Sequence, residues 1–169
     1  MAVDTFVDQG GMRRPCITIQ TEPDEWVPGI DLSGNVVREC NLSPAEIIAK
    51  VAAAGVVGMG GATFPTHVKL TVPTGKKAEY LILNGVECEP YLTDDYRIMM
   101  ERGEEVLVGV SILARAIGVE RIMVGIENNK PDAIKHLAQL APAIDSRIEV
   151  VPLKVRYPQG SEKHLITAL

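Results

Sequence analysis

The sequence predicts an α/β fold: a Rossmann-like parallel sheet with flanking helices, preceded by a short β/loop segment. Short apolar runs at residues 80–84, 121–126 and 148–151 alternate with longer amphipathic stretches, the pattern of buried parallel strands joined by helices. Glycine, proline and capping residues stand at the junctions between them. The third observation is composition: 46% of the 169 residues are hydrophobic but only 4% aromatic, so a core must be packed from Val, Ile, Leu and Ala.

The first forty residues carry turn formers (Gly10, Gly11, Pro23, Pro28, Gly29, Gly34) around one alternating run, residues 16–20, that reads as a short strand. This stretch has too little apolar content for a core of its own, so it reads as an edge piece or linker. Ser43-Pro44-Ala45-Glu46 then matches a capping box with proline at the first helical position. The helix it starts puts Ile47, Ile48, Val51 and Ala52 on one face and ends at Ala54, with Gly55 placed for a left-handed cap. Tyr80-Leu81-Ile82-Leu83-Asn84 is a buried strand that delivers a loop at its carboxyl end. Thr93 caps a helix to about Arg102, with Asp94 and Asp95 as first-turn acids. A longer helix lines up Val106, Leu107, Val110, Leu113, Ala114 and Ile117 and closes at Gly118. The strand at 121–126 follows, then a helix from Pro131 with Ile134, Leu137 and Ala138 inward, then the strand at 148–151.

Lys plus Arg number 17 against 22 Asp plus Glu, a net charge of −5, so the basic footprint of a nucleic-acid binder is missing. The longest weakly polar stretches, 51–62 and 106–119, are short and interrupted by four glycines and by Arg115 respectively, so membrane association is expected only through partners. The amino terminus has no basic region followed by an apolar run, which makes the cytoplasm the default expectation. Three widely spaced cysteines, Cys16, Cys40 and Cys88, supply neither a disulfide framework nor a Cys-x-x-Cys metal site.

Two segments bear chemistry. Residues 55–66, GVVGMGGATFPT, hold four glycines within seven residues. Glycine removes the Cβ that would keep a ligand off the main chain, and bared N–H groups suit a phosphate or a ring edge. The loop lacks Gly-Lys-Ser/Thr and follows a helix instead of a strand, so it is neither a Walker A loop nor the dinucleotide fingerprint. A ligand cradle and a packing loop both fit it. Residues 84–91, NGVECEPY, place an amide, two carboxylates and a thiol at the end of a predicted strand, where open α/β sheets bind ligands. Solvated turn acids and an inert small cysteine fit the same residues.

The combination is more specific than either segment. AGVVGMGGATFPTHVKL at 54–70, LNGVECEPYL at 83–92 and GIENNKP at 125–131, in that order, closely resemble the C subunit of the Rnf electron transport complex. More distantly they resemble the FMN/NADH-binding subunit of respiratory complex I. The resemblance runs from about Pro15 through the closing YPQGSEK at 157–163.

That resemblance implies an FMN-bearing subunit that takes hydride from NADH and passes electrons to iron–sulfur clusters. Gly58, Gly60 and Gly61 match positions whose main chain lies against the flavin nucleotide. Lys69 matches a lysine for the FMN phosphate, Asn84 a flavin-contacting amide, and Glu87 a carboxylate whose charge would tune the flavin potential. Tyr157 and Gly160 match a second flavin-side loop. Phe64 matches an aromatic that stacks on NADH, while Glu89 and Glu162 match carboxylates for its ribose hydroxyls or adenine amine. No catalytic acid or base is implied, since hydride passes directly between stacked rings that the protein orients.

By the same resemblance, residues 1–40 are a linker and the trailing edge of a preceding β-rich domain. Residues 41–169 are then the FMN/NADH-binding domain, truncated at its carboxyl end. FMN is expected to bind weakly or not at all in such a fragment, which would be inactive alone, and 4Fe-4S clusters are expected only in the full-length subunit. The implied partners are NADH and other subunits of a membrane complex, on the cytoplasmic side of the bacterial inner membrane. The region after Lys69 reads Leu70-Thr71-Val72, without the second stacking aromatic of complex I flavoproteins. A cobalamin reductase-like flavoprotein of a microcompartment and a flavin-free docking module are the competing readings.

Overall fold

A computed structural model describes residues 2–22, 26–59 and 62–169, in two compact units that divide between residues 35 and 36. In the first unit, β1 (Ala2–Val7) pairs antiparallel with β2 (Arg13–Thr18), Val7 opposite Arg13 and Ala2 opposite Thr18. Asp8 organises the turn: its Oδ1 accepts from the N–H groups of Gly10 at 3.0 Å and Met12 at 2.9 Å. The expected strand at 16–20 is therefore shifted to begin at Arg13, because the turn fixes the register. Its partner β1 carries no periodic signal, since a two-stranded ribbon with exposed faces imposes no apolar alternation.

In the second unit, β3 (Tyr80–Gly85), β4 (Arg121–Glu127) and β5 (Ile148–Leu153) form a parallel sheet in that order. Leu81 lies opposite Ile122, and Ile122 opposite Ile148. One sheet face is covered by α4 (Gly103–Ile117) and α5 (Pro131–Ile144). There Leu107, Val124, Ile126, Ala133 and Leu137 are wholly buried in an aliphatic cluster. The turned-away side of α4 packs on α1 (Pro44–Ala53) and α2 (Thr66–Leu70) through Ala116, Ile47 and Leu70, so α4 is buried on two sides. The other sheet face carries α6 (Glu162–Ala168), whose Leu165 packs with Val86 and Leu153. A Cβ on Gly125 would stand 2.9 Å from the Leu153 side chain and 3.1 Å from that of Leu165, so glycine in mid-strand is what lets α6 approach.

The capping box at Ser43 forms, with Glu46 Oε2 accepting the Ser43 N–H at 2.8 Å. Gly55 and Gly118 close α1 and α4 in the left-handed region, at φ 66° and 71°. Three local expectations are corrected. Ala52 and Ala138 face solvent, the inward stripe of α5 running through Ala133, Leu137 and Ala141 at four-residue steps instead. The Thr93 side chain makes no capping bond to α3 (Asp94–Glu101). A distant group, Glu87, takes that place by accepting the Asp95 N–H at 2.7 Å. The helices α2 and α6 have no counterpart in the sequence pattern; at five and seven residues they are too short to show a period. Among the described residues no helix is long and apolar enough to cross a membrane.

Candidate functional site

The three parallel strands end at Gly85, Glu127 and Leu153, and two cavities lie beside them, one over the loops that follow β3 and β5 and one between β3, α2 and α6, with Gly160 in the wall of each. The larger, 720 Å³, is walled by Glu87, Cys88 and Glu89 from the loop after β3, by Asp94 and Asp95, by Met59 of the glycine loop and by Tyr157. The smaller, 510 Å³, is bounded by Lys69, Asn84, Gly160 and Glu162 over the Tyr80–Ile82 stretch of β3. The first is lined by carboxylates without a lysine or arginine, whereas the second has the ammonium of Lys69 in its wall.

Gly160 is the joint between the two. Its N–H lies 3.4 Å from Cys88 Sγ and its carbonyl accepts from Asn84 Nδ2 at 2.8 Å. A Cβ there would meet Cys88 Sγ at 3.0 Å and the Val86 carbonyl at 3.3 Å, so glycine is needed for the loop to approach the strand end. Asn84 also accepts the Val86 N–H at 3.1 Å, so its amide is spent on holding backbone. Tyr157 is three-quarters exposed at the rim.

The glycine loop leaves α1 and returns on itself: Gly58 N–H donates to the Phe64 carbonyl at 2.9 Å, and Val57 bridges Pro65. A Cβ on Gly58 would meet that carbonyl at 3.7 Å, an ordinary contact. The protein itself therefore does not demand glycine at Gly58. Phe64 is half exposed, and Met59 is nearly fully exposed toward the larger cavity. Gly60 and Gly61 lie outside the described residues. Leu70, where a second aromatic would be near, is buried against α4.

Glu87 is not a free charge. Its side chain is 3% exposed, with Oε2 2.8 Å from Lys130 Nζ and Oε1 on the Asp95 N–H. Lys130 Nζ also lies 3.3 Å from Oε2 of Glu127, a carboxylate with no exposure at all. Glu127 Oε2 in turn accepts the Glu87 N–H at 3.2 Å, while its Oε1 is buried without a partner. The Gln159 amide nitrogen, beside Gly160, is likewise buried and unpartnered. Burial pushes the Asp95 carboxyl up from its ordinary value, and the nearby Glu87 and Asp94 charges push it the same way against the pull of Lys130. Glu127 and Lys130 received no role from the sequence, although their three-residue spacing just past a strand end is the signal of a shared partner.

The structure thus gathers Glu87, Glu89, Tyr157 and Gly160 on one cavity and Lys69, Asn84, Gly160 and Glu162 on its neighbour, and it leaves Phe64 and Gly58 outside both linings. The chain matches the family model described as the Nuo51 FMN-binding domain over residues 51–169. It is 46% identical over 169 residues to the C subunit of the ion-translocating oxidoreductase complex of Rhodobacter capsulatus, covering 98% of this chain and 32% of that protein. It is 49% identical over 146 residues to the C subunit of the proton-translocating ferredoxin:NAD(+) oxidoreductase complex of Clostridium ljungdahlii, covering 86% of this chain and 31% of that one. This chain therefore spans about a third of the length of these relatives. Among solved structures it is similar to an NAD+-reducing NiFe-hydrogenase in the air-oxidized state, with a TM-score of 0.68 and 27% identity over 73% of this chain and 23% of that one. On the family match across the glycine loop, the strand ends and both cavities, this chain belongs to the Nuo51 FMN-binding domain family.

Proposed function

We propose that this chain is the FMN- and NADH-binding part of an electron transport subunit that passes electrons from NADH through flavin to iron–sulfur clusters, in an Rnf-type ion-translocating complex. The observation that carries this reading is the family match over residues 51–169, which contains every residue lining the two cavities. The residues fit FMN. Lys69, in the wall of the smaller cavity, makes no ion pair with a described residue and supplies the cation a phosphate needs, and Asn84 and Glu162 beside it offer polar groups to a nucleotide. Bound FMN supplies an acceptor for a hydride pair that can be passed on one electron at a time.

Lys69 would hold the phosphate and the glycine loop, with Gly58, Gly60 and Gly61, would lie along the nucleotide. Glu89 and Glu162 would accept hydrogen bonds from ribose hydroxyls, and Phe64 and Tyr157 would flank the rings. The chain's part in the reaction is orientation, with no proton moved by a side chain. The 4Fe-4S clusters belong in this reading to the rest of the subunit. Residues 1–40 are the trailing edge of a β-rich domain, and the complex partners hold the subunit on the cytoplasmic side of the bacterial inner membrane.

The test is flavin content and NADH-dependent dye reduction by the full-length subunit, with Glu89→Gln beside the wild type. Stoichiometric FMN and a raised NADH KM in the variant are expected, one charge-assisted hydrogen bond being worth about 1.5–3 kcal/mol. A colourless full-length subunit that does not take up added FMN would leave a docking module instead.

A further inference from the structure

The buried charges behind the larger cavity do not balance. Glu87 and Glu127 are two carboxylates, 3% and 0% exposed, and both lean on the single ammonium of Lys130, which is 12% exposed. Buried charge is tolerated where it is paired and hydrogen-bonded. Glu87 meets that condition fully, through Lys130 and the Asp95 N–H. Glu127 meets it with one oxygen only, its Oε1 having no donor.

We propose that Lys130 and Glu127 are positioning residues of this site: Lys130 clamps Glu87, and with it the loop 86–95 that walls the larger cavity, while the second carboxylate leaves one negative charge behind that wall, which holds down the reduction potential of a flavin bound there. The clamp follows from geometry. The Glu87 side chain ties the start of the loop to its end, accepting the Asp95 N–H across eight residues. Lys130 and the Glu127 acceptor for the Glu87 N–H fix it from β4 and the turn behind. The charge follows from the count of two carboxylates against one ammonium, in surroundings where water does not screen them. Added electrons are disfavoured beside an uncompensated negative charge, so the oxidised flavin gains. In this arrangement the charge of Glu87 itself is offset by Lys130, and Glu127 adds a buried charge, unscreened by water, to the carboxylates of Glu89, Asp94 and Asp95 on the wall.

The inference rests on the flavin reading above, and the experiment separates the two. In the full-length subunit, Glu127→Gln keeps an acceptor for the Glu87 N–H and removes the excess charge. Its bound FMN should show a midpoint potential shifted to more positive values, with FMN affinity within about threefold of wild type. Lys130→Gln leaves two unpaired carboxylates. It should raise the FMN dissociation constant at least tenfold and speed hydrogen exchange at the Asp95 amide, whereas Lys130→Arg, which keeps the charge, should retain flavin.

An unchanged potential in Glu127→Gln would overturn the charge assignment. Wild-type affinity and wild-type Asp95 exchange in Lys130→Gln would overturn the clamp. If Lys130→Gln does not fold, retention of flavin by Lys130→Arg supports the clamp and its loss there overturns it. A wild-type subunit that takes up no FMN would overturn the flavin reading itself, a result distinct from each of these.

Discussion

The face of the sheet under α4 and α5 and the carboxyl ends of its strands are built by different physics. On the face under α4 and α5 the inward side chains are mainly aliphatic, with Leu107, Val124, Ile126 and Leu137 fully buried and filling space without a polar atom to satisfy. At the carboxyl ends of the strands, beside α6, polar groups meet polar groups: the exposed Asn84 amide and the half-buried Cys88 thiol hold Gly160, and the buried Glu87 and Glu127 share Lys130, with Glu127 Oε1 left without a donor. Gly160 lets its loop come close to Cys88 and to the Val86 carbonyl there. The first face tolerates a change of shape at a cost proportional to lost volume. The second tolerates little change of chemistry, because a removed partner leaves a buried polar group alone. Stability should reside in the one and ligand binding in the other.

Changes on each side can break that contrast. The largest stability loss is expected for Leu137→Ala, about 2–5 kcal/mol from lost burial and the cavity left behind. Denaturant unfolding should show it, while FMN affinity of the folded full-length variant stays as in the wild type; a parallel loss of flavin would mean the two regions are not separable. Gly160→Ala should do the reverse. The added Cβ must displace Cys88 or the Val86 carbonyl, costing about 1–3 kcal/mol, and flavin titration should weaken more than the unfolding midpoint moves.

Away from both, Asp145 chelates Arg147, whose Nε and second terminal nitrogen lie 3.0 and 2.7 Å from its two oxygens. The Arg147 hydrogen bonds hold its carboxyl below the ordinary value of 3.8. A depressed carboxylate stabilises the fold above its unfolded pKa and loses that contribution as pH falls through the folded one. Asp145→Asn should thus cost about 1 kcal/mol near neutrality, after discounting for solvent screening, and the gap to wild type should close below about pH 4 in thermal melts. The smallest effect sharpens the baseline. Ser43→Ala removes half of a capping box, worth about 1 kcal/mol, and should lower the melting temperature by a few degrees with no change in flavin binding.

The aliphatic face was legible in the sequence because periodicity and burial coincide there. Short apolar runs and helical stripes placed β3, β4, β5, α4 and α5 within a residue or three, and Ser43 through Glu46 marked the start of α1 to the residue. Where two neighbours could take the same inward place, as with Ala138 and Ala141, the actual tilt of the helix on the sheet decided, and a list of residues contains no tilt. The candidate site was legible by resemblance in its residues but not in its wiring. Glu87 reads as a free carboxylate near a ligand, and becomes a paired staple only because the parallel register brings the ends of β3 and β4 side by side, with Lys130 three residues beyond Glu127.

Composition and pattern alone determined an aliphatic α/β domain, the order of its three parallel strands and of α1, α3, α4 and α5, and the loops in which its chemistry would lie. Local hydrogen bonding and hydrophobic periodicity act over a few residues, and those the chain states directly. Tertiary structure alone decided that Asn84 and Cys88 grip Gly160 across more than seventy residues, that two carboxylates share one ammonium, and that one site is divided into an acidic cavity and one bearing Lys69. Those contacts depend on which ends of which strands become neighbours, and the energies that fix them exist only once the sheet has formed and water has left.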